Sequence, residues 1–282
     1  MATDSLQEIV CCLGQPVAGN PTQYMMEKAF VAAGLDWRYL TLEVRAENLP
    51  AAIRGMRAMG FRGGNFTIPH KVAVVPLLDS LSPAAEAMGA VNCVNRVGEK
   101  LIGENTDGKG FVQSLRTITD PAGKHVTILG AGGAARAIAV ELGLSGAAEI
   151  VIVNRGAQRG QDLANLLLNR MKVSAKYIPW IEEYALPPDV DLLINATSIG
   201  LNDAAARVPI ARDSLRPELI VADVVFNPPQ TRFLREAAEH GCKTLDGLGM
   251  LVNQAVIAFK IWTHVDPDAA IMRDALEEFL EI

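Results

Sequence analysis

Cysteine and histidine are scarce in this chain, with four of each among 282 residues. Cys11, Cys12, Cys93 and Cys242 form no C-x-x-C pair, and the histidines lie far apart. That spacing argues against a metal site and a disulfide framework, and leaves buried free thiols as the expectation. Aromatic residues make up only 5%, no basic run stands out, and the formal net charge is −6. Such a surface gives no support for binding nucleic acid or an anionic membrane. No apolar run reaches the ~18 residues of a membrane span. The start, MATDSLQEIVCCLG, lacks the basic beginning and long apolar stretch of a signal peptide. The expectation is a cytoplasmic protein with a small-molecule substrate and no nucleic-acid or membrane partner, working as a monomer or homodimer. Fixed-period repeats and low-complexity segments are also lacking.

Half of the residues are hydrophobic, enough for full-sized cores. Apolar runs of strand length alternate with helical patterns, the rhythm of an α/β protein with largely parallel sheets. In the first third, EIVCCLG, WRYLTLEV and GGNFTI read as strands. Between them, QYMMEKAFVAAGL and LPAAIRGMRAMG carry helical apolar spacing, as does KVAVVPLLDSL after them. VNCVNRVGEKLIGENTD reads as a hairpin turning at Val97–Lys100. A second α/β series begins at HVTILGAGGAARAIAVELGLSG and continues through AEIVIVNR, DVDLLINATSIGL, LIVADVVFNPP and the helix TRFLREAAEHG. The tail is helical. This predicts a two-domain α/β fold: a substrate domain over 1–115, a Rossmann-type dinucleotide domain over 116–249, and a return to the first domain over 250–282.

The segment GAGGAARA places Gly130, Gly132 and Ala135 at the offsets of G-x-G-x-x-G/A. The first glycine permits the tight turn, the second lets backbone approach a pyrophosphate, and the small third residue lets helix and strand pack closely. The motif follows a strand and opens a helix, whose first N–H groups point at the phosphates. Gly130, Ala131, Gly132, Gly133 and Ala134 are therefore expected at the cofactor. An NAD enzyme places Asp or Glu at the end of the next strand to hold the ribose 2′-hydroxyl. Here VNRGAQR supplies Asn154, Arg155 and Arg159 and no acid. A guanidinium clamps a 2′-phosphate through paired hydrogen bonds and full charge. The sequence thus favours NADP, with NAD as the alternative; two solvated surface arginines are the bland reading.

Hydride transfer needs a group that moves a proton. NFTIPHK sets Lys71 just past a strand, and GENTDGKG sets Asp107 before a glycine that can open a helix. A lysine and an aspartate from two strand ends can meet at one substrate hydroxyl, the lysine serving as general acid and base. A surface salt bridge is the competing reading of that pair.

At this point the chain resembles the shikimate dehydrogenase family over nearly its full length. The matching blocks stand in family order: LGQPV, NFTIPHK, GAVNCVN, GENTDGKG, GAGGAARA, NRGAQR, NATSIGL, DVVFNPPQTRFL and GLGMLVNQA. The resemblance implies two domains with the active site in the cleft, and reversible reduction of 3-dehydroshikimate to shikimate with NADPH. It implies Lys71 and Asp107 as the acid–base pair. It implies Asn65, Thr67, Asn92 and Gln254 as ligands of ring hydroxyls, and Thr197, Val224, Gly247 and Met250 as further cofactor contacts. The family's threonine after Asn-Arg is Gly156 here, which removes one hydrogen bond to the adenosine phosphate.

The chain departs from the family at one end of the substrate. Where the family reads H-S-x-S-P, with two serines on the substrate carboxylate, this chain reads GNPTQ, so Asn20 and Thr22 stand for the serines. Where the family has D-x-x-Y-x-P, with a tyrosine hydroxyl on the same carboxylate, this chain has DVVFNP and Phe226. One hydrogen bond lost to a charged group costs roughly 1.5–3 kcal/mol, about tenfold to hundredfold in affinity. The linked changes point to a relative with altered recognition at the carboxylate end, acting on quinate, an aminated analogue or another polyhydroxy ring acid. The alternative is a shikimate dehydrogenase in which Asn20 and Thr22 do the serines' work. A folate dehydrogenase or glutamyl-tRNA reductase shares the middle domain but not the NFTIPHK and GENTDGKG blocks. A non-catalytic sensor of a ring acid or nucleotide is disfavoured because Lys71 and Asp107 are both present.

Overall fold

The computed structural model describes residues 6–282. The first five residues, on which part of the reading of the chain's start rests, lie outside the described residues. By its contacts the chain divides into two units, one formed by residues up to Thr106 together with Val252–Ile282, the other by Asp107–Leu251.

The first unit opens with β1 (Glu8–Gly14), α1 (Thr22–Ala32), β2 (Trp37–Glu43), α2 (Leu49–Ala58) and β3 (Gly63–Phe66), as the hydrophobic periods predict. The predicted helix over KVAVVPLLDSL is not one helix. It breaks into α3 (His70–Ala73), a 3₁₀ turn at Val75–Leu77 and the two-residue strand β4 (Ser80–Leu81). Pro76 has no N–H to continue an α-helical ladder, and its ring collides with the preceding turn. A helix the periodicity did not reveal follows, α4 (Pro83–Met88), with the Ser82 hydroxyl accepting from the Ala85 N–H at its start. The predicted hairpin is β5 (Cys93–Val97) and β6 (Lys100–Glu104), turning through Gly98 at φ +60°. The sheet order is β2-β1-β3-β5-β6-β4. Its β1, β2 and β3 run parallel, while β5 is antiparallel to both of its neighbours.

One face of this sheet is apolar. Cys11, Leu13, Phe66, Val94 and Leu101 pack there against Leu49, Ile53 and Met56 of α2. The register puts Cys12 beside Asn65, and Asn65 beside Cys93, on the opposite face. The polar residues of interest therefore share one side of the sheet, while their chain neighbours build the core on the other.

The second unit begins with α5 (Asp107–Leu115), then β7 (His125–Leu129), α6 (Gly133–Leu144) and β8 (Glu149–Asn154). The sequence reading ends the first domain after residue 115, whereas the contacts group α5 with the second unit. The reason is a close helix crossing: a Cβ on Gly108 would lie 2.4 Å from the carbonyl oxygen of Ala137 in α6. Next come α7 (Ala157–Leu166) and β9 (Ser174–Pro179), which lack a distinct apolar signature, then β10 (Leu192–Asn195), β11 (Ile220–Asp223), α8 (Arg232–Glu239) and β12 (Lys243–Leu245). All strand pairs here are parallel, in the order β12-β11-β10-β7-β8-β9. This is the 3-2-1-4-5-6 order of the Rossmann fold read from the other edge, with its switch point between β7 and β10. Leu129, Val151, Val153, Leu193, Val221 and Phe233 lie in one buried cluster of this unit.

The chain closes with α9 (Leu248–Thr263), which spans the division at Leu251, and α10 (Ala269–Leu280). In the first unit, α9 is pinned by Trp262, whose indole Nε1 donates to the carbonyl oxygen of Val94 at 2.9 Å. Phe259 of the same helix stacks on Phe30 of α1 at 5.1 Å between centroids. All four cysteines are buried, and none forms a disulfide. Among the described residues, no helix is long and apolar enough to cross a membrane, and no cluster of three ligating side chains could hold a metal.

Candidate active site

In the first unit the expected site residues follow β1, end or follow β3, precede β5, and lie on α3 and α9. Asn65 is buried on β3; its Nδ2 donates to the main-chain oxygen of Asn92 at 3.1 Å. Asn92 forms a two-bond pair with Thr106: its Oδ1 accepts from the Thr106 N–H at 2.7 Å and its Nδ2 donates to the Thr106 hydroxyl at 3.0 Å. That pair fixes the chain immediately before Asp107, which is itself 8% exposed at the start of α5 in the second unit. Thr67 follows β3, its N–H donating to Leu13 at 3.0 Å. Lys71 sits half-buried on α3, and its main-chain oxygen accepts from the Val91 N–H at 2.7 Å, next to Asn92. Gln254 is buried on the part of α9 that belongs to this unit.

At the other end of this group, Asn20 and Thr22 open α1. The Asn20 Oδ1 accepts from the Thr22 N–H at 2.9 Å, an Asx turn just ahead of the helix. The Asn20 amide nitrogen lies 3.8 Å from the Cys12 sulfur. Cys12 is 1% exposed, and burial pushes its thiol up to about 11, with Tyr39 and the positive charge of Lys71 pulling the other way. The ammonium of Lys71 therefore acts on the same thiol that Asn20 approaches. A cavity of about 330 Å³ lies between α1, β2 and α10, lined by Asn20, Gln23, Tyr24, Glu27, Thr41 and Phe279. Of those, only Asn20 is among the residues expected at the site.

The second unit holds the expected cofactor residues around its switch point. Gly130 has φ +107°, and a Cβ there would lie 2.9 Å from the carbonyl oxygen of Ala196 and 3.1 Å from Thr197, so only glycine fits between the two strand ends. Ala131 and Ala134 are half-buried, while Gly132 and Gly133 face open space at the start of α6. Backbone N–H groups at a helix start, without side chains in front of them, are what a pyrophosphate requires. Asn154 turns its Nδ2 onto the Gly156 carbonyl at 2.8 Å. Arg155 is exposed, its guanidinium 5.5 Å from the centroid of the Trp180 ring. The Arg159 guanidinium lies 3.9 Å from where a Cβ on Gly156 would stand, which brings both arginines to one loop. This donor set, two guanidiniums at the end of β8 and no carboxylate among Asn154–Arg159, fits a 2′-phosphate.

Thr197, Val224, Gly247, Phe226 and Met250 belong to the loops on the other side of the switch point. The Thr197 hydroxyl and N–H both donate to Asn195 Oδ1, at 2.7 and 3.2 Å. A Cβ on Gly247 would lie 2.6 Å from the Val224 carbonyl oxygen, so this glycine seats the start of α9 against the Val224–Val225 backbone. Phe226 and Met250 are half-buried. Motif reasoning missed two residues that hold these loops. Asn195 ends β10 and Asp223 ends β11, and both are fully buried and bonded to each other. It also missed Tyr39, which bonds to Asn65; no motif marks a tyrosine inside a strand.

Three family models match the chain: a shikimate dehydrogenase substrate binding domain over residues 12–94, a shikimate/quinate 5-dehydrogenase domain over 114–208, and a shikimate 5′-dehydrogenase C-terminal domain over 247–277. The shikimate dehydrogenase (NADP(+)) of Desulforamulus reducens is 41% identical over 275 residues, covering 95% of this chain and 94% of the relative. Among solved structures, the 5-ketofructose reductase of Gluconobacter sp. strain CHM43 superposes with a TM-score of 0.94 at 50% identity, over 97% of this chain and 99% of that one. The shikimate 5-dehydrogenase of Thermus thermophilus, in complex with NADP(H) and shikimate, gives 0.85 at 35% identity, over 97% and 100%. The chain belongs to the shikimate dehydrogenase family of NAD(P)-dependent oxidoreductases that act on CH–OH groups.

Proposed function

We propose that this protein is an NADP-dependent reductase of a neutral polyhydroxy ketone, 5-ketofructose being the type, and that it converts the ketone reversibly to the alcohol. The observation that carries the reading is the Asn20 end of the substrate group. There one of the family's paired serine hydroxyls is replaced by the Asn20 amide, whose oxygen is already committed to the Thr22 N–H, while Thr22 keeps the other hydroxyl. The tyrosine hydroxyl is replaced by Phe226. A carboxylate placed there loses hydrogen bonds to a charged group, at roughly 1.5–3 kcal/mol each. A hydroxymethyl group carries no charge to compensate, and one amide N–H with the Thr22 hydroxyl suits it. The Gluconobacter protein, 50% identical, is named for 5-ketofructose, a sugar diketone without a carboxylate.

The residues carry the chemistry as follows. Bound NADPH supplies the hydride. Lys71 gives a proton to the carbonyl oxygen as that carbon is reduced, and takes it back from the hydroxyl in the reverse direction. Asp107 orients the lysine ammonium and accepts from a neighbouring substrate hydroxyl. Asn65, Asn92 and Gln254 hold further hydroxyls, and Thr67 stands at the same strand end. Arg155 and Arg159 bind the 2′-phosphate, and the Gly130–Ala134 turn binds the pyrophosphate.

A second reading, 3-dehydroshikimate and shikimate as the pair, is favoured by the curated relatives at up to 42% identity. The same ring-hydroxyl residues serve it. Quinate stands beside it as a third ring acid. A panel separates them: NADPH oxidation with 5-ketofructose and with 3-dehydroshikimate, and NADP⁺ and NAD⁺ reduction with shikimate and quinate. Efficient ketofructose reduction with weak shikimate turnover is expected. Shikimate turnover with KM in the ~10–100 μM part of the usual enzyme range and no ketofructose reduction overturns the proposal.

A further inference from the structure

Tyr39 is fully buried in β2, and its hydroxyl donates to Asn65 Oδ1 at 2.7 Å. Chemistry fixes which end of the amide faces which partner. Asn65 Nδ2 lies 3.1 Å from the main-chain oxygen of Asn92, and a carbonyl oxygen only accepts. The amide oxygen must therefore face Tyr39. The same argument works at Asn20. Its Oδ1 takes the Thr22 N–H, so its NH₂ is what approaches the Cys12 sulfur at 3.8 Å. Cys12 shares a face of the sheet with Tyr39, whose one phenolic proton goes to Asn65. The sheet register makes this possible: Val10 pairs with Tyr39, and Cys12 pairs with Asn65, placing all three polar side chains on one face.

We propose that Tyr39 is a positioning residue, whose hydroxyl holds the Asn65 amide oxygen while the Asn92 carbonyl holds one of its N–H groups, so that only the remaining N–H of Asn65 faces the substrate. The inference rests on Asn65 being a substrate ligand, as the proposed function has it. Burial pushes the Tyr39 phenol well above its usual value, so it keeps its donor proton at neutral pH. An amide oriented in this way reads the substrate atom against it as an acceptor. Without the phenol the amide oxygen loses its donor, and the side chain is held by the Asn92 bond alone.

The test is a double-mutant cycle of Tyr39→Phe and Asn65→Leu, read as kcat/KM with NADPH and 5-ketofructose and with NADP⁺ and shikimate. The dissociation constant of NADP⁺ serves as a control on the second unit. Tyr39→Phe is expected to lower kcat/KM roughly tenfold, the value of one net hydrogen bond, with NADP⁺ binding unchanged. In the Asn65→Leu background it is expected to do nothing more. A double variant worse than Asn65→Leu by the full Tyr39→Phe factor overturns the role of Tyr39 alone. An Asn65→Leu enzyme with unchanged kcat/KM on its best substrate overturns the placement of Asn65 as well. Should Tyr39→Phe not fold by itself, Asn65→Leu is compared directly with the double variant, in which both ends of the bond are removed together. Equal kcat/KM then supports the proposal and a further tenfold loss contradicts it.

Discussion

Asn195 Nδ2 donates to Asp223 Oδ1 at 2.9 Å, with both side chains wholly buried at the ends of neighbouring parallel strands. The same carboxylate accepts from the Val225 N–H at 3.0 Å and the Thr231 hydroxyl at 2.7 Å. Asn195 in turn holds Thr197 through its oxygen and Ile199 through its Nδ2. One buried acid thus ties the NATSIG loop, the DVVFNP loop and the start of α8 into a single unit. Burial pushes its pKa up to about 6, against the pull of these three donors.

That shift sets the sign of a pH effect. The folded chain holds the Asp223 proton more tightly than the unfolded chain, whose value is near 3.8. This group therefore stabilises the fold at low pH, and the contribution is lost as pH rises from about 4 through about 6. Over that window it amounts to about 3 kcal/mol. Urea unfolding of the wild type and Asp223→Asn between about pH 4 and 8 checks it. The wild type is expected to lose stability relative to the variant as pH rises, with the difference flat above pH 7. Parallel curves, or a wild type that gains relative stability with pH, contradict the assignment.

The two arginines of the β8 loop are expected to separate the cofactors. Arg155→Ala and Arg159→Ala should each raise the KM for NADP⁺ on the order of tenfold to hundredfold, while leaving the KM for NAD⁺ nearly unchanged. Trp180, 5.5 Å from the Arg155 guanidinium, steadies that side chain, so Trp180→Leu should show a smaller change of the same kind. Equal effects on both cofactors would mean that the arginines do not bind the 2′-phosphate.

Gly63 is expected to tolerate no side chain. A Cβ there would stand 2.1 Å from the Val94 carbonyl oxygen and 2.5 Å from Trp262 Nε1, the two groups joined by the bond that pins α9. Gly63→Ala should cost about 1–3 kcal/mol of stability. Because α9 also carries Gln254, it should raise the substrate KM more than the NADP⁺ KM. A variant with wild-type Tm and KM shows that α9 is held by other contacts.

Much of this arrangement was legible in the sequence. The alternation of apolar runs and helical patterns revealed most strands of both units. The glycine turn named the cofactor class because its function depends on residue type at fixed offsets. The short helices around Pro76 and Pro83 were less legible, since four to six residues carry no useful period. The α7–β9 pair escaped because its exposed face is polar throughout. The hydrogen bonds of Tyr39 and Asp223 could not be read at all. They depend on strand register, which brings residues about 25 positions apart onto one face, and no local pattern encodes it.

The substrate end is tested most directly by one ratio: kcat/KM for 5-ketofructose over kcat/KM for 3-dehydroshikimate, in the wild type and in the Asn20→Ser, Phe226→Tyr double variant. The account expects a ratio above one in the wild type. In the double variant it expects a fall of at least about tenfold, as restored hydroxyls recover bonds to the carboxylate. A wild-type ratio below one, or a ratio that the two substitutions do not move, would contradict it.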